Sequence, residues 1–402
     1  MKNKNFVILA IVTVVIVISA VTAINMRDES VANQVQGKVF IPGLSSKINN
    51  VSLVEVSNGK EKTSLKQGSS DWGVVEKDNY PANVTKIKEL ILGLSDLKTV
   101  EPKTTKADNY SKLGVEDPGK GASSTLVTLK DKDGKNITEV IIGKTSFSGV
   151  KQGLYVRKPS DNQSWLVSGK VSATADPTTW VDSKILNINK SRIKSIQFKQ
   201  PDGASLTVDK ENKTATDYAV EKLPKGKEIS SQATVNGLAT ALENLTFMDV
   251  LNKDKFTFDE KSQINTEYKT YDGLVIKASA EKKDDKWYAK FTTAYDEATV
   301  KAEEEKAKAE EKAKEEAEKA KETKDAKDNK DNKQTQPPAA AAAAKPAGPD
   351  VKKEASDLAA NLANWVYVIP DYKAQYMTKK IDDLVKAPPA KAKPEKVSKK
   401  KK

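Results

Sequence analysis

The side chains that most often do chemistry near neutral pH are largely missing here, since the 402 residues include no His and no Cys. Without Cys there are no disulfides, iron–sulfur clusters, zinc ribbons or thiolate nucleophiles. Without His there is no Ser-His-Asp triad, no His-ligated zinc and no imidazole base. Carboxylate, lysine or tyrosine chemistry and oxygen-ligated hard cations remain. The carboxylates that stand together are Glu116-Asp117 and Asp382-Asp383, but acid/base or metal roles need convergence from several segments. Gly119-Lys120-Gly121 is a G-x-G fragment preceded by Asp117-Pro118 with no helix behind it, so it reads as a turn rather than a dinucleotide fingerprint. Ser46-Lys47 is the kind of pair any lysine-rich chain contains. No P-loop, zincin, EF-hand or kinase signature occurs. We therefore assign no catalytic, cofactor-binding or metal-ligating residue, no cofactor, and expect a protein that is not an enzyme.

The elements that would position such groups begin with the N-terminus. Lys2 and Lys4 precede Phe6 to Ile24, a stretch without a charge. As a helix these nineteen residues span about 28 Å, close to the roughly 30 Å of a bilayer's hydrocarbon core. Arg27, Asp28 and Glu29 follow, so the positive-inside bias keeps the N-terminus cytoplasmic and places the rest outside. Val21-Thr22-Ala23 is also a passable cleavage site, but signal h-regions are shorter, which favours an uncleaved anchor over residues 1–24. The expected location is a bacterial inner membrane, single-pass, with the body periplasmic or extracytoplasmic. Residues 25–44 read as a linker.

From Ser45 the pattern is α/β of the α+β type. Ile48, Val51 and Leu53 lead to Asn58-Gly59, read as a strand and a type I′ hairpin turn. Trp72–Lys77 is a further strand. Ile87, Leu90, Leu94 and Leu97 share one side of a helix by their 3,4,3 spacing. Strands follow at Leu126–Leu129 and Val140–Ile142 around Asp133-Gly134, then at Leu154–Val156 and Trp165–Val167. Asp176-Pro177 opens a short helix through Trp180, Ile185 and Leu186.

This unit recurs. Ile193, Ile196, Phe198 and Asp202-Gly203 repeat the first strand and turn, Tyr218–Lys222 echoes the Trp72 segment, and Val235, Leu238, Leu242 and Leu245 repeat the 3,4,3 helix. Two tandem β-rich repeats with amphipathic helices are expected, at 45–190 and at 191–298 plus 351–386. Trp72, Trp165, Trp180, Trp287 and Trp365 fall on the apolar pattern and read as core. Residues 299–350 interrupt the second repeat. Within them 301–324 form a Lys/Glu/Ala helix with Glu304–Lys308, Glu310–Lys314 and Glu315–Lys319 pairs, read as solvated throughout. Gln334 to Pro349 is Pro/Ala low complexity.

The net charge of +12 follows from 68 Lys+Arg against 56 Asp+Glu. Residues 391–402 alone hold seven Lys and one Glu, so half the excess is one tail, within a disordered basic segment at 387–402. No basic face for nucleic acid is supported.

Asp71-Trp72, Tyr80-Pro81-Ala82 with its leucine-rich helix, Tyr110–Pro118 (YSKLGVEDP), Ile142-Gly143, Leu154-Tyr155-Val156 and Trp365–Val368 together resemble the bacterial domain of unknown function 4340. The resemblance implies an envelope protein with a single anchor, often encoded beside ABC-transporter components or gliding-motility-like genes. Its motifs are structural, and the Lys/Glu/Ala insertion and Lys tail depart from its pattern.

The function expected is a membrane-anchored extracytoplasmic accessory or scaffold of a membrane complex, of the ABC-transporter type. Its partners would be that complex and, through Phe6 to Ile24, the lipid bilayer. Two alternatives stay open. One is an envelope-spanning tether like the Tol/TonB-type proteins; the other is binding of an anionic glycan or lipid through the Lys tail.

Overall fold

A computed structural model describes Thr13 and residues 16–20, 36–69, 71–147, 153–325 and 350–387. Among these, no helix is long and apolar enough to cross a membrane. The run Phe6 to Ile24 lies outside the described residues apart from Thr13 and 16–20, which are helical, and the 391–402 tail lies outside them altogether. The rest is mixed helix and strand in the α+β manner. It falls into two compact units that divide after Asp182.

The first unit holds β1 (Leu53–Ser57), β2 (Lys62–Gln67), β3 (Trp72–Val74), β4 (Tyr80–Pro81), β5 (Lys98–Pro102), β6 (Thr125–Lys130), β7 (Asn136–Ser146), β8 (Gly153–Arg157) and β9 (Ser164–Ser168). They form one antiparallel sheet in the order β4-β3-β2-β1-β6-β7-β8-β9-β5. Strand alternation puts Val54, Val56, Val127, Leu129 and Val156 on a buried face. Helix α1 (Val84–Ser95) is capped by Asn83, whose Oδ1 accepts from the Lys86 N–H at 3.1 Å. It buries Ile87, Leu90, Ile91 and Leu94. The other sheet face is covered near β7 by the segment around α2 (Tyr110–Leu113). There Tyr110, Val115 and Ile141 form a second core with Leu113, Leu126 and Tyr155.

The second unit contains β10 (Lys184–Leu186), β11 (Ile193–Lys199), β12 (Ser205–Asp209), β13 (Ala219–Val220), β14 (Glu228–Ile229), helix α3 (Gln232–Gly237), β15 (Leu245–Thr246), β16 (Asp249–Asn252), β17 (Ile264–Thr270), β18 (Leu274–Lys283), β19 (Lys286–Tyr295), α4 (Glu297–Asp325), α5 (Val351–Leu362), β20 (Trp365–Ile369), α6 (Asp371–Met377) and β21 (Val385–Lys386). Its main sheet runs β13-β12-β11-β17-β18-β19-β20-β16. Strand for strand this is the first sheet's order without β4.

Pairing defines which residues correspond. Val56 precedes the last pair of the β1–β2 hairpin and faces Val127; Phe198 precedes the last pair of β11–β12 and faces Thr266. The row Leu126–Ile141–Arg157 in the first sheet is therefore matched by Asn265–Ser279–Lys290 in the second. Spacing alone aligns Leu53 with Phe198, three residues away from the pairing, because turn length and bulges are invisible to it.

Several expectations are corrected. Residues 37–44 are not a linker: the Gly37 N–H donates to Thr99 O at 2.7 Å, Val39 bridges Lys98, and Phe40, Ile41 and Leu44 are buried. The boundary lies at 182/183 rather than 190/191, because β10 pairs with β15. The expected Trp180–Leu186 helix is a 3-10 turn at Pro177–Trp180 followed by that strand. The Asn58-Gly59 turn is not type I′, since only Gly59 (φ +78) has positive φ. Asn58 Oδ1 instead accepts from the N–H groups of Lys60 and Glu61. A Cβ at Gly59 would lie 2.5 Å from the Gly119 nitrogen, so the turn packs directly on the G-x-G segment. Of the five tryptophans only Trp180 is buried; the other four are half-buried.

The Lys/Glu/Ala helix is not solvated throughout. At its root Asp296 accepts from the Thr299 N–H at 3.2 Å, Glu303 pairs with Lys194 at 2.7 Å, and Lys306 Nζ donates to Glu211 O at 2.6 Å. Beyond it Glu310, Glu311 and Lys312 are exposed. The return at Asp350, which caps α5 through the N–H groups of Lys352 and Lys353, supplies β20 between β19 and β16.

Candidate functional site

The residues singled out for chemistry are mostly spent on structure. Glu116 Oε1 accepts from the Ser123 N–H at 2.8 Å, while its Oε2 is buried without a hydrogen-bond partner among the described residues. Asp383 accepts from the Lys380 N–H at 3.1 Å and closes a 3-10 turn. Ser46 Oγ donates to Gly43 O. The structure brings none of these pairs to another, and the described residues contain no group of three or more acidic, His or Cys side chains able to hold a metal.

Burial would raise the Glu55 carboxyl in the first unit, but Lys130 and Lys62 hold it below its usual range; the other displaced groups among the described residues lie in the second unit. Burial pushes the Tyr218 phenol well up, and its hydroxyl donates to Ile193 O at 2.7 Å. Burial raises Tyr271 to about 12, with its hydroxyl donating to Lys210 O. Tyr268 is fully buried and its phenol is likewise raised by desolvation. Burial lowers the Lys373 ammonium, which donates to the carbonyls of Thr240 and Glu243 at the end of the α3 turn. Burial would raise the Asp272 carboxyl, but hydrogen bonds from Arg192 and Thr270 hold it below the usual carboxylate range. Arg192 also forks onto Glu354 at 2.9 and 2.7 Å, tying α5 to the start of β11.

Two grooves remain. In the first unit, Lys86, Glu89, Lys170, Ser172 and Trp180 line about 630 Å³ beside α1. Lys86 Nζ is bonded to Thr179 O at 2.7 Å and Trp180 Nε1 to Thr174 O at 2.9 Å. One carboxylate among bonded neighbours makes no acid/base pair.

The second groove, about 660 Å³, lies on the outer face of the second sheet between residues 253–263, β19 and the turn into β20. Its geometry is best read against the matching place in the first unit. There Arg157, only 3 % exposed, lies 4.5 Å above the Tyr110 ring and donates through Nε to Val115 O at 2.9 Å. Its other nitrogens reach Asp161 O and the Asp117 carboxylate. The Leu113–Val115 segment presses so closely that a Cβ on Gly143 would lie 2.5 Å from Leu113 O. In the second unit Lys290 stands in the register of Arg157 and again covers a ring, Phe258, at 4.8 Å. Phe256 stacks on Tyr288 at 4.2 Å and meets Phe258 edge-on at 4.9 Å. Fourteen residues separate Tyr110 from β6, but only five separate Phe258 from β17. The chain over this position is thus nine residues shorter in the second unit, where buried Glu281 stands at the place of Gly143 and accepts the Asp259 N–H at 2.8 Å. Sequence reading missed this pair of sites because Arg157 and Lys290 are 133 positions apart and meet only as equivalents in strand register. The one sequence signal was the YSKLGVEDP run itself.

The body is a duplicated antiparallel α+β architecture whose described polar clusters serve packing, capping and turn closure. A profile described as Domain of unknown function (DUF4340) matches residues 72–267, which supports membership in that family. The match begins at β3 and ends in β17, so it crosses from the first unit into the second. No curated protein and no solved structure matches the chain.

Proposed function

We propose that the chain is a membrane-anchored, extracytoplasmic accessory or scaffold of a membrane complex, of the ABC-transporter type, and that it performs no catalysis itself. The anchor would be Phe6 to Ile24, with the N-terminus cytoplasmic and both units outside. The observation that carries this reading is the duplicated sheet, in which Tyr218, Tyr271 and Lys373 are bonded to backbone carbonyls and Asp272 is paired with Arg192, while Tyr268 lies in the core. Such a body offers surfaces rather than a reaction centre. Affinity purification of the full chain in mild detergent tests it: permease- or ATPase-type subunits should be recovered with it. Repeated recovery of the chain alone would count against the reading.

The tether alternative draws support from α4. Its 29 residues span about 43 Å at ~1.5 Å per residue, and its root is pinned to the second unit. Deleting 301–349 separates the two readings, because a tether loses function and a scaffold keeps its partners.

A further inference from the structure

We propose that the groove beside α1 in the first unit takes an acyl chain of an anionic phospholipid from the bilayer, with the lipid phosphate held by Lys170 at the rim. Leu90, Leu92 and Trp180 supply the apolar wall, and the space of about 630 Å³ is of ligand-pocket size. The polar atoms of that wall are already spent. The Lys86 ammonium donates to Thr179 O at 2.7 Å, and Trp180 Nε1 donates to Thr174 O at 2.9 Å. A polar ligand would find few partners along the wall, whereas an acyl chain needs none. Leu92 is 49 % exposed on this side of α1, so its side chain is free to meet the occupant.

In the second unit the chain covers the matching side of its own helix. Gly237 and Thr240 stand where the first unit has Glu89 and Leu92 in the shared 3,4,3 pattern. A Cβ on Gly237 would lie 3.2 Å from the Tyr376 ring, and Lys373 Nζ donates to Thr240 O at 3.0 Å, so α6 fills that space. In the first unit the described chain between β9 and the 3-10 turn at Pro177–Trp180 forms no helix, and the groove stays open. Glu89, in the place of Gly237, would meet a helix seated as α6 is. The occupant is therefore not a second α6.

Where the chain enters the unit says what covers the groove. The Gly37 N–H donates to Thr99 O, Val39 bridges Lys98, and Lys98 pairs with Ser168. Two strand spacings of ~4.8 Å and two residues of ~3.4 Å put Lys170 within roughly 17 Å of Val39. Residues 25–36 join Gly37 to the proposed anchor at Phe6 to Ile24, and a stretch of that length reaches at most about 40 Å. The groove thus lies within reach of the headgroup layer, where an acyl chain enters without crossing bulk water. Lys38, Lys98 and Lys170 are exposed along this edge, against Asp96 and, at the rim, Glu89. That excess of cations suits an anionic headgroup. The lipid is at hand only if Phe6 to Ile24 is an anchor, so this proposal rests on that reading and the experiment reads both.

The full chain is placed in nanodiscs of phosphatidylcholine and phosphatidylglycerol in equal parts, with a trace of phosphatidylglycerol carrying a diazirine at its acyl end. After irradiation the labelled peptides are mapped by mass spectrometry. Label is expected in 86–92 and 170–180 as well as in Phe6 to Ile24. Lys170→Glu and Leu92→Glu should each lower the groove label at least about fivefold and leave the anchor label unchanged. Both residues are exposed, so the variants keep the fold. Added salt should lower the groove label as well. Label in Phe6 to Ile24 alone overturns the lipid site and leaves the anchor standing; label in neither region overturns both. Undiminished groove label in the two variants, or equal label from phosphatidylcholine with the same diazirine, would show adventitious contact and overturn the proposal. Groove label that appears only once co-purifying subunits are removed would give the groove to a protein partner and overturn it too.

Discussion

Replacing Arg157 by Met removes the one fully buried cation that ties β8 to the YSKLGVEDP segment. Four contacts go with it, the weakest being the long bond from Nη1 to Asp161 O at 3.4 Å. The Nε bond to Val115 O, at 2.9 Å, is a hydrogen bond from a charged donor and is worth about 1.5–3 kcal/mol. The guanidinium 4.5 Å above Tyr110 adds about 0.5–2 kcal/mol. The ion pair with Asp117 adds only ~0–1 kcal/mol, because that carboxylate is 79 % exposed and screened by water. Methionine restores some of the packing, so a net loss of about 3 kcal/mol is expected. For a unit of this size that lowers the midpoint of unfolding by about 6–12 °C. Calorimetry of the body should show the first unit's transition moving and the second unit's staying in place. Asp117→Asn is the control and should cost less than ~0.5 kcal/mol. If Asp117→Asn proves as damaging as Arg157→Met, the ion pair holds the segment and the argument from the carbonyl and ring fails. A neutral Arg157→Met would refute it altogether.

Three further outcomes follow from the second unit. The Tyr268 hydroxyl is buried without a hydrogen-bond partner among the described residues, so Tyr268→Phe should stabilise that unit by about 1 kcal/mol, read as a raised calorimetric midpoint. Asp272 has a carboxyl held below its ordinary value, so its contribution is full above the unfolded value of about 4 and is lost as pH falls through the lower folded value. The second unit's melting temperature should therefore drop below about pH 4, and Arg192→Met should flatten that dependence. A stop codon at Asp350 removes β20 from between β19 and β16 together with buried Val366, Tyr367, Val368 and Ile369. It should abolish the second unit's transition and its slow-exchanging amides while the first unit's remain.

What was legible in the sequence was local. Ile87, Leu90 and Leu94 on one helix side, Asn58-Gly59 at a hairpin and Asp176-Pro177 ahead of a helical turn each follow from a period or a cap that a few neighbouring residues define. The order of such features also exposed the duplication, and the composition removed His and Cys chemistry outright. The misreadings share one cause. Residues 37–44 read as linker because a strand-edge bridge such as Val39 to Lys98 has no local period. Trp72, Trp165, Trp287 and Trp365 read as core because an apolar position does not say which sheet face is covered.

The amino-acid pattern by itself thus determined the elements, their repetition and the reactive groups the protein must do without. Tertiary structure alone decided that Arg157 is buried under its own chain while Lys290, its equivalent, is left beside an open aromatic floor. The physical reason is that strand register and the length of the covering segment are settled by pairing between distant strands. No window along the chain contains both partners of that choice.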